Sequence, residues 1–325
     1  MFRTEIHVEP AEEKITLSTP LLSIGSCFSD CIGKRFADFK FDILANPYGT
    51  VYNPTSIGKL LKYAITSSTP AQSTFVETQG LHANYDFHSS FSQPDCSSLT
   101  SRILESIETT RQHLMKTKWL IITLGTAFVY KHKESNEIVA NCHKVPSDRF
   151  IKSLLSVDEV LSAFRDLLPI LSKVNDQIKI ILTVSPVRHI KDTLEQNSVS
   201  KSILRLAADH LVKAYDQVQY FPSYEIMMDD LRDYRFYKSD MLHPTEDAEN
   251  YIWEKFGDRY FDDATRSFLQ EWTKIRRAIN HKPFNVASEG HQSFVKKTLD
   301  KLRQFEHIID ISDEQRRLTI QLNGH

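Results

Sequence analysis

The chain has 325 residues, of which 41% are hydrophobic and 25% charged, so it is long enough for one large domain with an appendage. Forty basic against 42 acidic residues leave a net charge of -2, which gives no long-range attraction to a nucleic-acid backbone or an anionic membrane. We therefore expect neither partner. The N-terminus lacks a basic segment followed by an apolar one, and no apolar run reaches the roughly 18 residues of a membrane span, so we predict a cytoplasmic protein.

Short apolar strands alternate with amphipathic helices along the chain. Residues Leu21 to Gly25 predict a strand, Ser29 to Phe39 a helix, and Phe41 to Ala45 a second strand. The pattern predicts an α/β protein with a five-stranded, mostly parallel sheet, helices on both faces, and the first strand between the second and the third. The remaining strands are predicted at Trp119 to Leu124, Ile178 to Val184 and Gln219 to Phe221, and the remaining helices from Thr55, at about 101 to 116, and at Val157 to Val174, Ser200 to Val218, Tyr224 to Leu231 and Thr245 to Phe256.

Two segments depart from this alternation. Residues 67 to 100 are rich in Ser, Thr, Gln and Pro, and a loop of that length inside a domain is typical of a lid or an insertion. A shorter hairpin is predicted around Glu134-Ser135-Asn136. Beyond residue 262, apolar residues recur at helical spacing in two runs, so we predict a domain over 1–262 and a C-terminal helical extension over 263–325. The extension either caps the sheet or forms a homodimer contact.

The polar residues that attract attention all follow a predicted strand. In an open α/β sheet, ligands bind at the carboxyl ends of the strands, near the point where the strand order reverses. We therefore expect these residues to share one edge of the sheet. They are Ser26 and Cys27 after the first strand, Asn46 and Gly49 after the second, Thr126 after the third, Arg188 and His189 after the fourth, and Asp240 and His243 after the fifth.

The segment Asp240-Met241-Leu242-His243-Pro244 predicts a general base. An aspartate three residues before a histidine, on a loop ahead of a helix, orients and polarises the imidazole toward a nucleophile elsewhere. The nucleophile candidates lie in the turn Gly25-Ser26-Cys27, and the sequence leaves both the hydroxyl of Ser26 and the thiol of Cys27 open.

Other polar residues are candidates for substrate contacts. His88 and His143 lie in polar loops, where a histidine either holds a substrate or is simply solvated. Arg188 either clamps a carboxylate or hydroxyl of the substrate or forms a structural salt bridge to a residue such as Asp192 or Glu225.

No cofactor is expected. The chain has nine glycines and neither glycine-rich phosphate motif, which disfavours a nucleotide cofactor. Its four cysteines are too few and too scattered for a disulfide scaffold. The spacing of Cys27, Cys31 and the pair Cys142-His143 is not that of a zinc knuckle, so we predict no metal site.

Seven motifs in order give the chain a specific resemblance to the GSCFA family over roughly residues 20 to 290. That family is similar to the SGNH, or GDSL-like, hydrolases. The resemblance implies a flavodoxin-like three-layer α/β/α sandwich and either ester hydrolysis or acyl transfer. The motifs are Gly25-Ser26-Cys27-Phe28, Asn46-Pro47-Tyr48-Gly49, Ile122-Thr123-Leu124-Gly125-Thr126-Ala127, Asn141-Cys142-His143-Lys144-Val145-Pro146, Thr183-Val184-Ser185-Pro186-Val187-Arg188-His189, Tyr220-Phe221-Pro222-Ser223-Tyr224-Glu225-Ile226 and Asp240-Met241-Leu242-His243-Pro244.

This chain departs from the related hydrolases at two places. Where they have Gly-Asp-Ser, the chain has Gly25-Ser26-Cys27, and this overlay puts Cys27 at the nucleophile position. Where they supply an asparagine amide to the oxyanion hole, the chain has Gly125-Thr126-Ala127. The oxyanion would then be bound by backbone N–H groups near Cys27 and Gly49, with help from Thr126 or Asn46.

The expected function is therefore the hydrolysis of an acyl ester on a carbohydrate or a small metabolite. Cys27 or Ser26 attacks, His243 moves the proton, and Asp240 orients His243. Two alternatives stay open: an acyltransferase that uses the same residues, and a non-catalytic carbohydrate- or ligand-binding module.

Overall fold

The computed structural model describes residues 4–281, 284–286 and 288–323, so the outermost ends of the two predicted units lie outside the described residues. Its strands are β1 (Leu21–Gly25), β2 (Ile43–Ala45), β3 (Phe75–Thr78), β4 (Leu81–Asn84), β5 (Trp119–Leu124), β6 (Phe128–His132), β7 (Ile138–Val139), β8 (Phe150–Leu154), β9 (Lys179–Val184) and β10 (Val218–Tyr220). Its helices are α1 (Cys27–Asp38), α2 (Pro54–Thr66), α3 (Cys96–Lys116), α4 (Val157–Val174), α5 (Thr193–Ala214), α6 (Ser223–Glu225), α7 (Glu246–Tyr260), α8 (Asp263–Asn280), α9 (Glu289–Arg303) and α10 (Ser312–Asn323).

A five-stranded parallel sheet lies at the centre of the fold, in the order β2-β1-β5-β9-β10. When these strands are numbered along the chain, the order is 2-1-3-4-5, the flavodoxin-like arrangement. Strand β1 lies between β2 and β5, as the sequence predicts. The strand order reverses between β1 and β5, so their carboxyl ends mark the expected ligand site.

Helices cover both faces of this sheet, which confirms the predicted three-layer α/β/α architecture. Side chains alternate along each strand, so Leu22 and Ile24 of β1 face one layer while Leu21 faces the other. The first layer consists of α2, α3, α4 and α5, and the second of α1, α7 and the C-terminal helices. The apolar faces of both layers are buried, and their burial is the main source of stability.

The C-terminal helices pack onto the α1 side of the sheet. Trp272 of α8 is fully buried, and its indole N–H donates to the carbonyl of Asp38 at the end of α1 over 3.0 Å. Leu302 of α9 and Leu318 of α10 are buried in the same cluster. The apolar residues that recur in these helices are therefore largely buried within the chain. A homodimer through these helices stays a prediction.

The segment at 67–100 is more ordered than a plain loop. It contains the antiparallel hairpin of β3 and β4, whose turn has positive φ at both Gln79 and Gly80 (52° and 73°). Helix α3 begins at Cys96 rather than at about 101, because Asp95 caps it by accepting the N–H of Ser98 over 2.8 Å. The separate hairpin predicted around Ser135 is present between β6 and β7. Among the described residues, none of the helices has the length and apolar character needed to cross a membrane.

Candidate active site

A tight turn joins β1 to α1. Gly25 has a φ of 148°, and a Cβ at this position would lie 2.2 Å from the carbonyl oxygen of Thr123 on β5, so only glycine fits. Ser26 follows it, is fully buried, and caps α1 by accepting the N–H of Phe28 over 3.3 Å. The sequence predicts that this helix begins at Ser29. The cap explains why α1 begins at Cys27 instead. The hydroxyl of Ser26 is thus part of the helix cap.

The thiol of Cys27 faces His243, which lies on the loop before α7. Its Sγ lies 3.7 Å from Nε2 of His243, although 216 positions separate the two residues in the chain. On the other side of the ring, Nδ1 of His243 lies 2.7 Å from Oδ2 of Asp240. The structure therefore brings Cys27, His243 and Asp240 into one continuous line of contacts, while the hydroxyl of Ser26 is buried and bonded to the N–H of Phe28.

Local hydrogen bonds hold the loop of His243. Oδ1 of Asp240 accepts the backbone N–H groups of Leu242 and His243 over 2.9 and 3.0 Å. Met241, which lies between Asp240 and Leu242, has a positive φ of 58°. The N–H of Lys238 donates to the carbonyl of His243 over 2.7 Å. The backbone bonds from His243 and Leu242, followed by the side-chain bond to His243, lower the pKa of Asp240 to about 2. Asp240 is thus a carboxylate at neutral pH.

The surroundings of Cys27 have opposing effects on the pKa of its thiol. Burial raises the pKa of the Cys27 thiol, nearby Asp30 raises it further, and Lys201 together with the N–H groups of Phe28 and Cys27 lowers it. Desolvation of the thiol outweighs the effect of the helix terminus, so Cys27 rests as a thiol.

The groups considered for an oxyanion hole already have partners. The side-chain oxygen of Asn46 accepts the N–H of Gly25 over 2.8 Å, and its amide donates to Oδ1 of Asp30 over 2.5 Å. The N–H of Gly49 donates to the carbonyl of Asn46 over 2.8 Å. The hydroxyl of Thr126 lies 3.0 Å from that of Ser200. In this structure, Asn46, Gly49 and Thr126 therefore shape the turns around the site.

Arg188 and His189 follow β9 and lie beside the loop of His243. The N–H of Arg188 donates to the carbonyl of Leu242 over 3.3 Å, and its guanidinium lies 4.0 Å from the ring centre of Tyr237. The two acidic residues considered as salt-bridge partners of Arg188 pair with other residues, because Asp192 pairs with Lys152 and Glu225 with Arg205.

The ring of His189 is packed edge-on against Tyr52, with ring centres 5.6 Å apart. Its Nε2 is buried and has no hydrogen-bond partner within the described ranges. Burial, followed by the charges of Lys201 and His243, lowers the pKa of His189 to about 4, so the ring is neutral at pH 7. His189 is thus a neutral ring with a buried, unpaired nitrogen near the loop of His243.

The two loop histidines have other surroundings. Nε2 of His143 lies 2.7 Å from the carbonyl of Asn84, and this buried ring helps to hold the antiparallel part of the fold together. Burial lowers the pKa of His143. Nδ1 of His88 lies 3.0 Å from the hydroxyl of Ser90, and its Cβ packs directly against Gly49. Neither ring is joined to Cys27 or His243 by a direct contact.

Sequence reasoning missed three residues around Cys27. Asp30 lies one helical turn after Cys27 and accepts hydrogen bonds from Asn46 and from Thr50, the latter over 2.7 Å. Tyr52 is close enough for the Cys27 charge to raise its pKa, after burial as the larger cause. Lys201 reaches the site from α5. Only the spacing of Cys27 and Asp30 on one helix face was visible in the sequence. Between residues 4 and 323, apart from the few positions left undescribed, no group of three or more His, Cys, Asp or Glu side chains is arranged to hold a metal ion.

The solved structures that resemble the chain include two distant ones. A protein from Streptococcus pneumonia, named in connection with platelet activating factor, is 12% identical with a TM-score of 0.39, over 74% of this chain and 83% of its own. A carbohydrate esterase family 3 protein from Talaromyces cellulolyticus is 8% identical with a TM-score of 0.34, over 79% of this chain and 99% of its own. Neither overlap is close enough to bear on the activity of this chain. No curated protein matches the sequence.

Family models match most of the chain. The model of the GSCFA family matches residues 20–256, which include Cys27, Asp240 and His243. The model of the GSCFA domain protein C-terminal domain matches residues 272–324. The chain therefore belongs to the GSCFA family.

Proposed function

We propose that this chain hydrolyses an acyl ester on a carbohydrate or a small metabolite, with Cys27 as nucleophile, His243 as general base and Asp240 as the group that orients His243. The observation that carries this proposal is the line of contacts from Sγ of Cys27 through His243 to Asp240, with separations of 3.7 and 2.7 Å. A nucleophile, a base within reach and a third group that fixes the base are what acyl transfer requires.

The reaction follows from this geometry in two stages. Cys27 attacks the ester carbonyl carbon while Nε2 of His243 takes the thiol proton, and the tetrahedral intermediate then collapses to a thioester. The leaving alkoxide takes the proton from His243. Water, deprotonated by the same nitrogen, hydrolyses the thioester and restores the thiol. Asp240 stabilises the imidazolium in both stages.

At the start of α1, the backbone N–H of Cys27 is suited to bind the oxyanion, whereas that of Phe28 already donates to the hydroxyl of Ser26. The N–H groups of Cys27 and Phe28 lie close enough to the sulfur to lower its pKa, although burial has the larger, opposite effect. They also belong to the positive end of a 12-residue helix. Donors at this place stabilise the negative charge that develops in the transition state. We include Arg188 and His189 in the proposal as substrate contacts, since they lie against the loop of His243.

Solvent exposure favours water as the acyl acceptor. The side chains of His243 and Asp240 are 41% and 44% exposed, so water reaches the base without a conformational change. An acyltransferase with the same residues would instead need a bound acceptor at this position. Hydrolysis is therefore the function that the geometry supports best.

The experiment is a screen of short-chain acyl esters, including O-acetylated sugars, with release of the free acid measured for the purified protein. The wild-type protein should hydrolyse at least one ester, and Cys27→Ala and His243→Ala should each abolish that turnover. Cys96→Ala, which removes a thiol at the start of α3, is the matched control and should retain it. Binding of esters without acid release, unchanged by either active-site substitution, would instead support the binding module.

A further inference from the structure

Lys201 is a fully buried lysine beside the candidate site. The residue is only 1% exposed, and its ammonium donates to the carbonyls of Gly125 and Ser185, each over 2.7 Å. These carbonyls lie directly after β5 and β9, where the two strands end. The side chain therefore ties together the carboxyl ends of two neighbouring strands, at the edge of the sheet where Cys27 lies.

The buried charge of Lys201 lacks an acidic partner. In the described segments of the chain, no carboxylate lies within ion-pair distance of Nζ, and the nearest aromatic ring is that of Tyr224, with its centre 5.8 Å away. An unpaired buried ammonium is unfavourable, because it loses its hydration and gains no opposite charge. Burial accordingly lowers the pKa of Lys201 to about 7, and Cys27 raises it. Cys27 is thus the group that can supply the missing negative charge.

The charged and titratable groups around this pair come from several elements. Asp30 on α1 faces Cys27, as does Tyr52 from the loop before α2. His243 reaches Cys27 from the loop before α7, and His189 lies near both Lys201 and His243. Among these groups, Asp30 opposes a negative charge on the sulfur. Lys201 is held in place by two hydrogen bonds, and a charge on Cys27 favours its protonated form because it raises the pKa of Lys201.

We propose that Lys201 is a positioning residue for the reaction at Cys27, and that its buried ammonium stabilises the negative charge that forms on the sulfur and then on the oxyanion. The inference rests on the proposed role of Cys27 as the nucleophile. Lys201 acts without touching the substrate, through its electric field and through the two carbonyls it holds. The field is strong because the surroundings are dry and the cation cannot move away.

The test measures alkylation of Cys27 by iodoacetamide as a function of pH, followed at the Cys27 peptide by mass spectrometry. Only the thiolate reacts, so the profile reports its formation without any ester assay. In Lys201→Met the midpoint should move upward by about one pH unit, with about tenfold slower labelling at pH 7. Lys201→Gln, whose amide can still donate to the carbonyls, should show the same shift and serves if the Met variant does not fold.

The neighbouring residue provides the structural control. The hydroxyl of Ser200 accepts the N–H of Ala127 over 2.8 Å and so ties the same loop that Lys201 holds, but it carries no charge. Ser200→Ala should lower the melting temperature and leave the alkylation midpoint unchanged. An unchanged midpoint in Lys201→Gln, or an equal shift in Ser200→Ala, would overturn the proposal. A shift confined to the Lys201 variants supports it even if no ester is turned over, which would count only against the proposed hydrolase.

Discussion

Asp240 and His243 are joined both through their side chains and through the backbone. One carboxylate oxygen of Asp240 lies 2.7 Å from Nδ1 of His243, while the other accepts the backbone N–H of His243 over 3.0 Å. The same residue thus fixes the position of the base and the orientation of its ring. A three-residue separation makes this possible within a single turn of the loop.

We expect Asp240→Asn to lower turnover by about 10⁴-fold, because an amide cannot stabilise the imidazolium or select its tautomer. The asparagine oxygen can still accept the two backbone N–H groups, so the loop should keep its shape. Ester turnover and thermal unfolding of the variant should be measured together. A variant with unchanged stability and unchanged turnover would remove Asp240 from the proposed mechanism.

Substitution of Asn46, whose side chain binds the N–H of Gly25, should lower the free energy of unfolding. Asn46→Ala leaves the buried N–H of Gly25 without an acceptor and places an alanine at a φ of 40°, for a loss of about 2 to 4 kcal/mol in the free energy of unfolding. Asn46→Asp keeps the acceptor but places a carboxylate against Asp30. Urea unfolding at pH 7 should show both losses, and that of the Asp variant should shrink as the pH falls toward 4. Equal losses at both pH values would show that Asp30 is not involved.

Two glycines with similar backbone conformations form a matched pair. Gly49 and Gly80 have φ values of 75° and 73°, so alanine at either position costs about 1 to 2 kcal/mol in backbone strain. An added Cβ at position 49 would also lie 2.4 Å from Cβ of His88, whereas position 80 has no neighbour within 4 Å. Gly49→Ala should therefore be the more destabilising by about 1 to 3 kcal/mol in urea unfolding. Equal effects would mean that His88 moves aside freely.

Because of His189, we expect the free energy of unfolding to decrease at acidic pH. Its folded-state pKa is lowered to about 4 from an ordinary value of 6.5, so below pH 6.5 the unfolded chain binds a proton that the folded chain does not. The free energy of unfolding should decrease as the pH falls from 6.5 to 4, by up to about 3 kcal/mol from this residue. His189→Phe, which keeps a ring against Tyr52, should remove that part of the pH dependence. His88→Phe is the control and should not.

Much of the fold could be predicted from local patterns. The alternation from Leu21 to Ala45 predicts one βαβ unit, and the predominantly apolar strands Trp119–Leu124 and Lys179–Val184 are buried interior strands of the sheet. The helix starts were less visible, because they depend on a single capping side chain. Asp95 is an example, since its bond to Ser98 moves the start of α3 by about five residues.

The candidate site was only partly predictable from the sequence, because some of its contacts exist only in the tertiary fold. Asp240 and His243 are neighbours in sequence, so their pairing could be inferred. Lys201 instead lies at the start of the helix predicted from Ser200, which in the structure begins at Thr193. A lysine at such a position is usually solvated, and only the tertiary fold places this one beneath the ends of β5 and β9. Similarly, the direction of the pKa shift at Cys27 depends on burial, which the sequence does not contain.

The measurement that tests the central claim most directly compares Cys27→Ala with Ser26→Ala in the hydrolysis of one ester by purified protein. Ser26→Ala removes a helix cap, so it should lower stability by about 1 kcal/mol and retain turnover within about tenfold of the wild-type value. Cys27→Ala should lose turnover by about a thousandfold or more, because the atom that lies 3.7 Å from the base is gone. If Cys27→Ala instead hydrolyses the ester at the wild-type rate while Ser26→Ala does not, the nucleophile is the hydroxyl and the account given for Cys27 is wrong.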